Sequence, residues 1–223
     1  MLLISCNARI SGKLDGESAG DFTASISLMP RISALIRSLQ AFSGEEKPEI
    51  IDAGAISASM AAAGGISSVS FQNTSLGIID GLVKISRIND FMTSENAVSF
   101  IRFEQTVGSS QGKCTINLRR ELGPEILSHV SAEITAYLEA LMAPIATGEE
   151  LNKEEYLNLV ESIYGGAIAG EINSSTIRVS VDFPGTVQSV LGGTFSGSRA
   201  EFNIPLVNLL VLERALVYEV IWK

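Results

Sequence analysis

His129, the one histidine of the 223-residue chain, stands four residues from Glu125 on one side and four from Glu133 on the other. On a helix those three side chains share a face. An imidazole between two carboxylates could serve as a general base or hold a metal ion. Either role asks for a second histidine, a cysteine or a converging set of carboxylates, and the pattern supplies none. The reading is a surface histidine with helical neighbours of opposite charge.

Other patterns fail in similar ways. The run Gly192-Gly193-Thr194-Phe195-Ser196-Gly197 lacks the Lys-Ser/Thr end and the following helix of a phosphate loop, so it reads as a hairpin turn. Glu149, Glu150, Asn152, Glu154 and Glu155 lack the alternating ligands and central glycine of a calcium loop, and two helix caps in tandem account for them. Asp52, Asp80, Asp90 and Asp182 are scattered without ligand spacing. No Gly-x-Ser-x-Gly elbow stands on a strand-turn-helix unit to support a serine hydrolase. The expectation is no catalytic residue, no metal site, no cofactor, and a role other than that of an enzyme.

The two cysteines are Cys6 and Cys114. Cys114 alternates with Ile116 and Leu118 on one face of a strand, as a buried structural thiol does. Cys6 closes Leu3-Ile4-Ser5-Cys6, which has the form of a lipobox: apolar residues, then a small one, then the thiol that takes the lipid. A signal peptide also needs a basic n-region and an apolar stretch of roughly 7–15 residues, and Met1 to Ser5 do not hold one. Two readings follow. In the first, the start lies upstream, Cys6 is the lipid-attachment residue, residues 1–6 are a signal remnant, and 7–223 form a single domain on the bacterial cell envelope. In the second the match is chance, Leu2-Leu3-Ile4 begins the first strand, and the chain is a soluble cytoplasmic protein-interaction domain.

Composition narrows the partners. A net charge of −9 opposes nucleic-acid binding, which requires a basic patch, and also opposes simple adhesion to anionic lipid heads. Hydrophobic residues are 46% and charged ones 18%, below the usual quarter charged, so a large core can be filled and apolar surface left over. No stretch approaches the ~20 apolar residues of a membrane-spanning helix. An apolar ligand site is one use for the surplus. Met60, in the alanine-rich stretch 53–63, and Leu206, Leu209 and Leu210, in the apolar run 206–212, are its candidate residues. Packing of a plain core is the other use.

The elements that would carry these residues can be read from periodicity. Strands are expected over 7–14 and 21–28 as a hairpin, over 66–72, 76–86 with a bulge at Gly81, 97–105 and 113–119, with a polar connection over 89–96. Helices are expected from Pro30 to about Phe42, over 53–63 with Asp52 as cap, and as one long helix from Pro124 that Pro144 ends. Another begins at the capping box of Asn152 and Glu155 and stops at Gly165-Gly166. Strands then return over 176–183, 187–190, 194–204 and 215–222, the last presenting Leu216, Tyr218, Val220 and Trp222 on one face. The sum is an α+β protein, an antiparallel sheet of about eight strands with helices packed on one face.

The segments Phe183-Pro184-Gly185-Thr186-Val187, Gly192 to Gly197, and Ala200-Glu201-Phe202-Asn203-Ile204-Pro205-Leu206 resemble the tail of LppM-like bacterial envelope lipoproteins. That resemblance covers about 25 residues. It implies an anchored, non-enzymatic envelope domain whose partners are the membrane, through an N-terminal lipid, and an apolar small molecule or another envelope protein.

Overall fold

The computed structural model describes residues 7–42, 49–61, 64–93 and 98–223. Its strands are β1 (Asn7–Leu14), β2 (Gly20–Ser27), β3 (Ile66–Ser75), β4 (Ile78–Ile85), β5 (Ile101–Gln105), β6 (Gly112–Leu118), β7 (Thr176–Asp182), β8 (Val187–Leu191), β9 (Thr194–Ser196), β10 (Arg199–Pro205) and β11 (Leu216–Trp222). Its helices are α1 (Pro30–Phe42), α2 (Ala53–Ala61), α3 (Ile88–Thr93), α4 (Gly123–Ser128), α5 (Ala132–Ala140), α6 (Pro144–Thr147), α7 (Lys153–Tyr164), α8 (Gly166–Ser174) and α9 (Leu206–Val211).

The α+β class holds, but the single antiparallel sheet does not. The strands form a seven-stranded sheet in the order β3-β4-β2-β1-β7-β10-β9 and a four-stranded sheet in the order β5-β6-β11-β8. The larger sheet is mixed. β1 and β2 make the expected hairpin, with Asn7 opposite Ser27 and Leu14 opposite Gly20. On its other side β1 runs parallel to β7, with Asn7 beside Thr176 and Lys13 beside Asp182. Strand order is set by which edges find each other in space, and a periodicity of two carries no information about that.

The two sheets share an apolar core. Leu14, Phe22, Val181, Ala200 and Phe202 of the large sheet meet Phe103, Cys114, Val190, Val220 and Trp222 of the small one. Trp222 is its centre: the ring is buried, 4.6 Å from that of Phe183 and 5.9 Å from that of Phe103. The expected inward stripe of β11 is therefore present.

The helices do not form one layer over a sheet, as expected. α2 lies along β3 at the edge of the large sheet, where the Phe71 amide donates to Ser57 Oγ at 2.7 Å, so the small side chains of α2 cover a strand edge. α3 packs against β5, with Ile88 in the core between the sheets, and the others pack on one another around Tyr156, Val160, Ile172, Val207 and Val211, all buried. Leu28, Leu118, Leu206 and Leu216, at strand ends, join that helical core to both sheets. α9 is its hinge, because it leads directly from β10 in one sheet to β11 in the other.

Local chemistry explains the helix ends. Asp52 Oδ1 accepts the Ala55 amide and caps α2, and Asn152 with Glu155 forms the expected capping box of α7. The amides of Arg31 and Ile32, in the first turn of α1, donate to the carboxylate of Glu171, a cap brought from 140 residues away that also suits the helix dipole. The long helix expected from Pro124 is broken: α4 ends at Ser128, and Ser131 caps α5 by accepting the Ile134 amide. A serine side chain that can bond to the backbone competes with helix continuation. Pro144 starts the short α6 rather than only ending a helix, and Gly165 is followed at once by α8, a helix not expected from the sequence.

Two further expectations are corrected. Residues 88–93 are helical where a polar connection was expected. β4 also runs through Gly81 without a bulge; the register shifts lie in β3, at Ile66/Ser68 and Asn73/Ser75. Gly81 is a place of close approach instead, since the Phe71 ring occupies the space a β-carbon would take.

Gly112 and Trp222 stand in the same relation. They are register partners, and a β-carbon on Gly112 would lie 2.2 Å from the indole Cζ2. Gly112→Val should cost about 1–3 kcal/mol in urea unfolding. The emission of Trp222, the only tryptophan, should shift to the red in the folded variant; an unchanged midpoint and spectrum would contradict this packing.

Candidate functional site

The outward face of the large sheet carries the chemistry. Side chains alternate along each strand. Leu14, Val181, Ala200 and Phe202 face the shared core, so Arg9, Ser11 and Lys13 of β1, Arg178 and Ser180 of β7, and Glu201 and Asn203 of β10 face out. Arg9, Arg178, Glu201 and Asn203 are exposed.

A groove of about 740 Å³ crosses this face. Its lining comes in triplets from neighbouring strands: Arg9-Ile10-Ser11, Arg178-Val179-Ser180, Glu201-Phe202-Asn203, and Gly192-Gly193-Thr194 at the edge. In each strand triplet the outer two residues point outward and the middle one inward. The groove therefore runs across the strands with a floor of backbone. One bank is Arg9, Arg178 and Asn203; the other is Ser11, Ser180, Glu201 and Thr194.

The register fixes the first bank. Arg9 is the direct partner of Arg178 in the parallel pair, and Arg178 is the partner of Asn203 in the antiparallel one. Two guanidinium-bearing strands thus lie about 4.8 Å apart. Among the described residues neither arginine makes an ion pair. Two of the nearby acids are engaged elsewhere. Asp80 is held below the usual carboxylate range by the hydroxyls of Ser25 and Thr74, and Asp182 takes both arms of Arg199 at 2.9 and 2.7 Å. Glu201 acts on Arg199, whose pKa it helps to raise after Asp182.

The residues singled out in the sequence are dispersed. Cys6 lies outside the described residues. Leu210 is buried in the helical core, with Leu206 and Leu209 of the same helix half-buried. Met60 is half-buried on α2. The groove is lined by none of these four. A smaller depression of about 210 Å³ is apolar on one side, lined by Leu28, Ile50, Ile51, Leu76 and Ile79 among others, and is below the size of ordinary ligand pockets. His129 is exposed at the end of α4, and Glu125 instead accepts the Ser99 amide and hydroxyl, which lower its pKa. Among the described residues no group of acidic, histidine and cysteine side chains could hold a metal ion.

Sequence reading missed Arg9 and Arg178, which stand 169 positions apart and look like any two solvated arginines until the parallel register pairs them. It also passed over Gly108-Ser109-Ser110-Gln111-Gly112, which matches the letters of a nucleophile elbow. In the structure this is the turn of a hairpin between β5 and β6, without the following helix that such an elbow requires.

No protein-family model matches the chain, and no curated protein matches it. Among solved structures, the NMR structure of the folded domain of the Mycobacterium tuberculosis LppM protein is similar at a TM-score of 0.40 and 9% sequence identity, over 100% of this chain and 93% of that one.

Cys114 packs against the core around Trp222, and burial pushes its thiol up to about 11 from 9.0. The folded state therefore favours the neutral thiol. That contribution to stability is complete below about pH 9 and is lost as pH rises toward 11. In the Cys6→Ala protein, Cys114 should resist a disulfide reagent at pH 8 until denaturant is added. The alkaline loss of stability should shrink in a Cys6→Ala/Cys114→Ala protein; rapid native labelling at pH 8 would contradict the burial.

Proposed function

We propose that this chain is a lipid-anchored, non-enzymatic binding domain of the bacterial envelope, attached through Cys6. The observation that carries the proposal is the position of Asn7. It is the first residue of β1, at the centre of the large sheet, and it follows Cys6 directly. A lipid on Cys6 would hold that end of the sheet against the bilayer with no tether between them.

The same end presents apolar surface. Asn7 lies opposite Ser27, and Ser27 opposite Ile78, so the turn between β3 and β4 stands at this end, tied by a 2.8 Å bond from the Leu28 amide to the Gly77 carbonyl. Leu76 in that turn is 68% exposed, the most exposed of the large hydrophobic residues described. Beside it is the small depression lined by Leu28, Ile50 and Ile51. An apolar residue in water gains by burial, about 1.5–3 kcal/mol for a full leucine side chain, and a membrane interface offers that burial. No helix among the described residues is long and apolar enough to cross a membrane, so on this reading the contact is by lipid and by the turn. The outward groove, on the open face of the same sheet, would remain available to a ligand or an envelope protein.

The test uses the gene with its natural upstream region, expressed in a bacterium fed a palmitate analogue. Wild-type protein should take the label and sediment with membranes; Cys6→Ala should lose both. Leu76→Asp should keep the label while a larger share washes off in mild detergent. Absence of label from wild-type protein would refute the anchor and favour the soluble interaction domain.

A further inference from the structure

We propose that the groove across the outward face of the large sheet binds a terminal phosphate group through Arg9 and Arg178. The proposal concerns a different surface from the anchor and does not depend on it.

The argument begins with the cost of the arrangement. Like charges placed directly opposite on neighbouring strands repel. The chain has 25 acidic residues against 16 basic ones, so compensating carboxylates are plentiful. Yet the row that holds Arg9 and Arg178 continues to Ser25 on one side and Asn203 on the other, both uncharged. Beyond Ser25 comes Asp80, which is already taken by two hydroxyls. The carboxylate of the other bank, Glu201, sits two residues along β10 from Asn203, beside Ser180 and next to the Arg199–Asp182 pair. A bound anion would relieve the repulsion that the fold leaves in place.

Ligand class follows from donor geometry. One guanidinium fork engages both oxygens of a carboxylate along its open edge. Two forks on strands about 4.8 Å apart approach from two sides and suit an anion that presents oxygens on more than one edge. A phosphate monoester or pyrophosphate end has three terminal oxygens and close to two negative charges at neutral pH, so it can take a fork on each side. Ser11 and Ser180 face the arginines across the floor and can donate to the remaining oxygen. Polar side chains stand along both banks of the groove. Glu201 and its charge lie toward the edge, so the phosphate sits over β1 and β7. The uncharged remainder of the ligand extends over Asn203, Gly193 and Thr194, which offer an amide, bare backbone and a hydroxyl.

Both a soluble phosphate compound and a lipid headgroup present such a group. The net charge of −9 works against docking on an anionic bilayer, so the soluble source is the one expected.

The full chain, labelled with nitrogen-15, is titrated with inorganic pyrophosphate at low salt. Separately it is sedimented with phosphatidylcholine vesicles containing phosphatidic acid, and with phosphatidylcholine alone. Saturable shifts confined to 9–11, 178–180 and 201–203 are expected, with affinity falling as salt is raised. Arg9→Gln and Arg178→Gln should each weaken binding on the order of tenfold, the equivalent of one charge-assisted hydrogen bond, and the double variant should abolish it. Arg178→Lys keeps the charge but not the fork and should fall between wild type and Arg178→Gln. Arg102→Gln, on the small sheet, should change nothing. Melting temperatures guard against misfolding, and the Gln variants should melt no lower than wild type because a repulsion is removed. Phosphatidic-acid binding without pyrophosphate binding, lost in the double variant, would keep the site and assign the headgroup. Saturable binding that survives the double variant, or no binding of either probe, would overturn the proposal.

Discussion

The parallel pairing of β1 with β7 is the contact on which the remaining architecture depends. It joins residues 7–13 to residues 176–182 along seven consecutive partners, across most of the chain. Parallel strands cannot be linked by a tight turn and need a crossover; here the crossover contains the β3–β4 hairpin, half of the small sheet and most of the helices. Once the pair is made, β2, β4 and β3 extend the sheet on one side and β10 and β9 on the other. The loop-closure cost of such a distant pairing is considerable but grows only slowly with length. It is offset by the apolar residues that the completed sheet can bury.

Burial is divided between two cores of different construction. One lies between the sheets and turns on aromatic rings: Trp222 against Phe183 and Phe103, with Phe202 meeting Tyr218 edge-on at 5.5 Å and 82°. The other lies among the helices and is mainly aliphatic, around a fully buried Tyr156 whose hydroxyl donates to the Leu141 carbonyl at 3.3 Å. Arg120 joins them. Its guanidinium donates to the carbonyls of Val211, at the end of α9, and Leu151, ahead of α7, so it satisfies backbone groups that helix and loop leave open. Because β10, α9 and β11 are continuous in sequence, the two cores cannot be displaced from each other without straining that segment.

The outward face of the large sheet is open to water, unusual for a sheet with a parallel pair. That openness lets polar residues occupy a central strand pair. It also explains why the surface chemistry is organised by rows across strands and not by any local segment. The Arg199–Asp182 fork closes one row, and the Ser25, Thr74 and Asp80 hydrogen bonds close one end of another. Arg9 and Arg178, farther along that second row, are left with their charge.

Local signals carried a large part of this protein. The helix from Pro30, the Asp52 cap, the Asn152–Glu155 box, the β1–β2 hairpin and the inward stripe ending at Trp222 are all readable, because each depends on residues within a few positions of one another. The failures share the opposite property. The long helix after Pro124 breaks where a serine cap outcompetes periodicity. α8 is hidden behind a glycine pair that reads as an end. Gly81 looks like a bulge until the ring of Phe71, on the neighbouring strand, is seen to need its space. The sequence by itself determined the α+β class and the alternating faces of most strands, for these are matters of composition and period. Tertiary structure alone decided the split into two sheets, the parallel register and the meeting of Arg9 with Arg178. Strand order depends on which hydrogen-bonding edges find each other at a distance, and alternation along a strand says which face a side chain takes but never which side chain stands beside it.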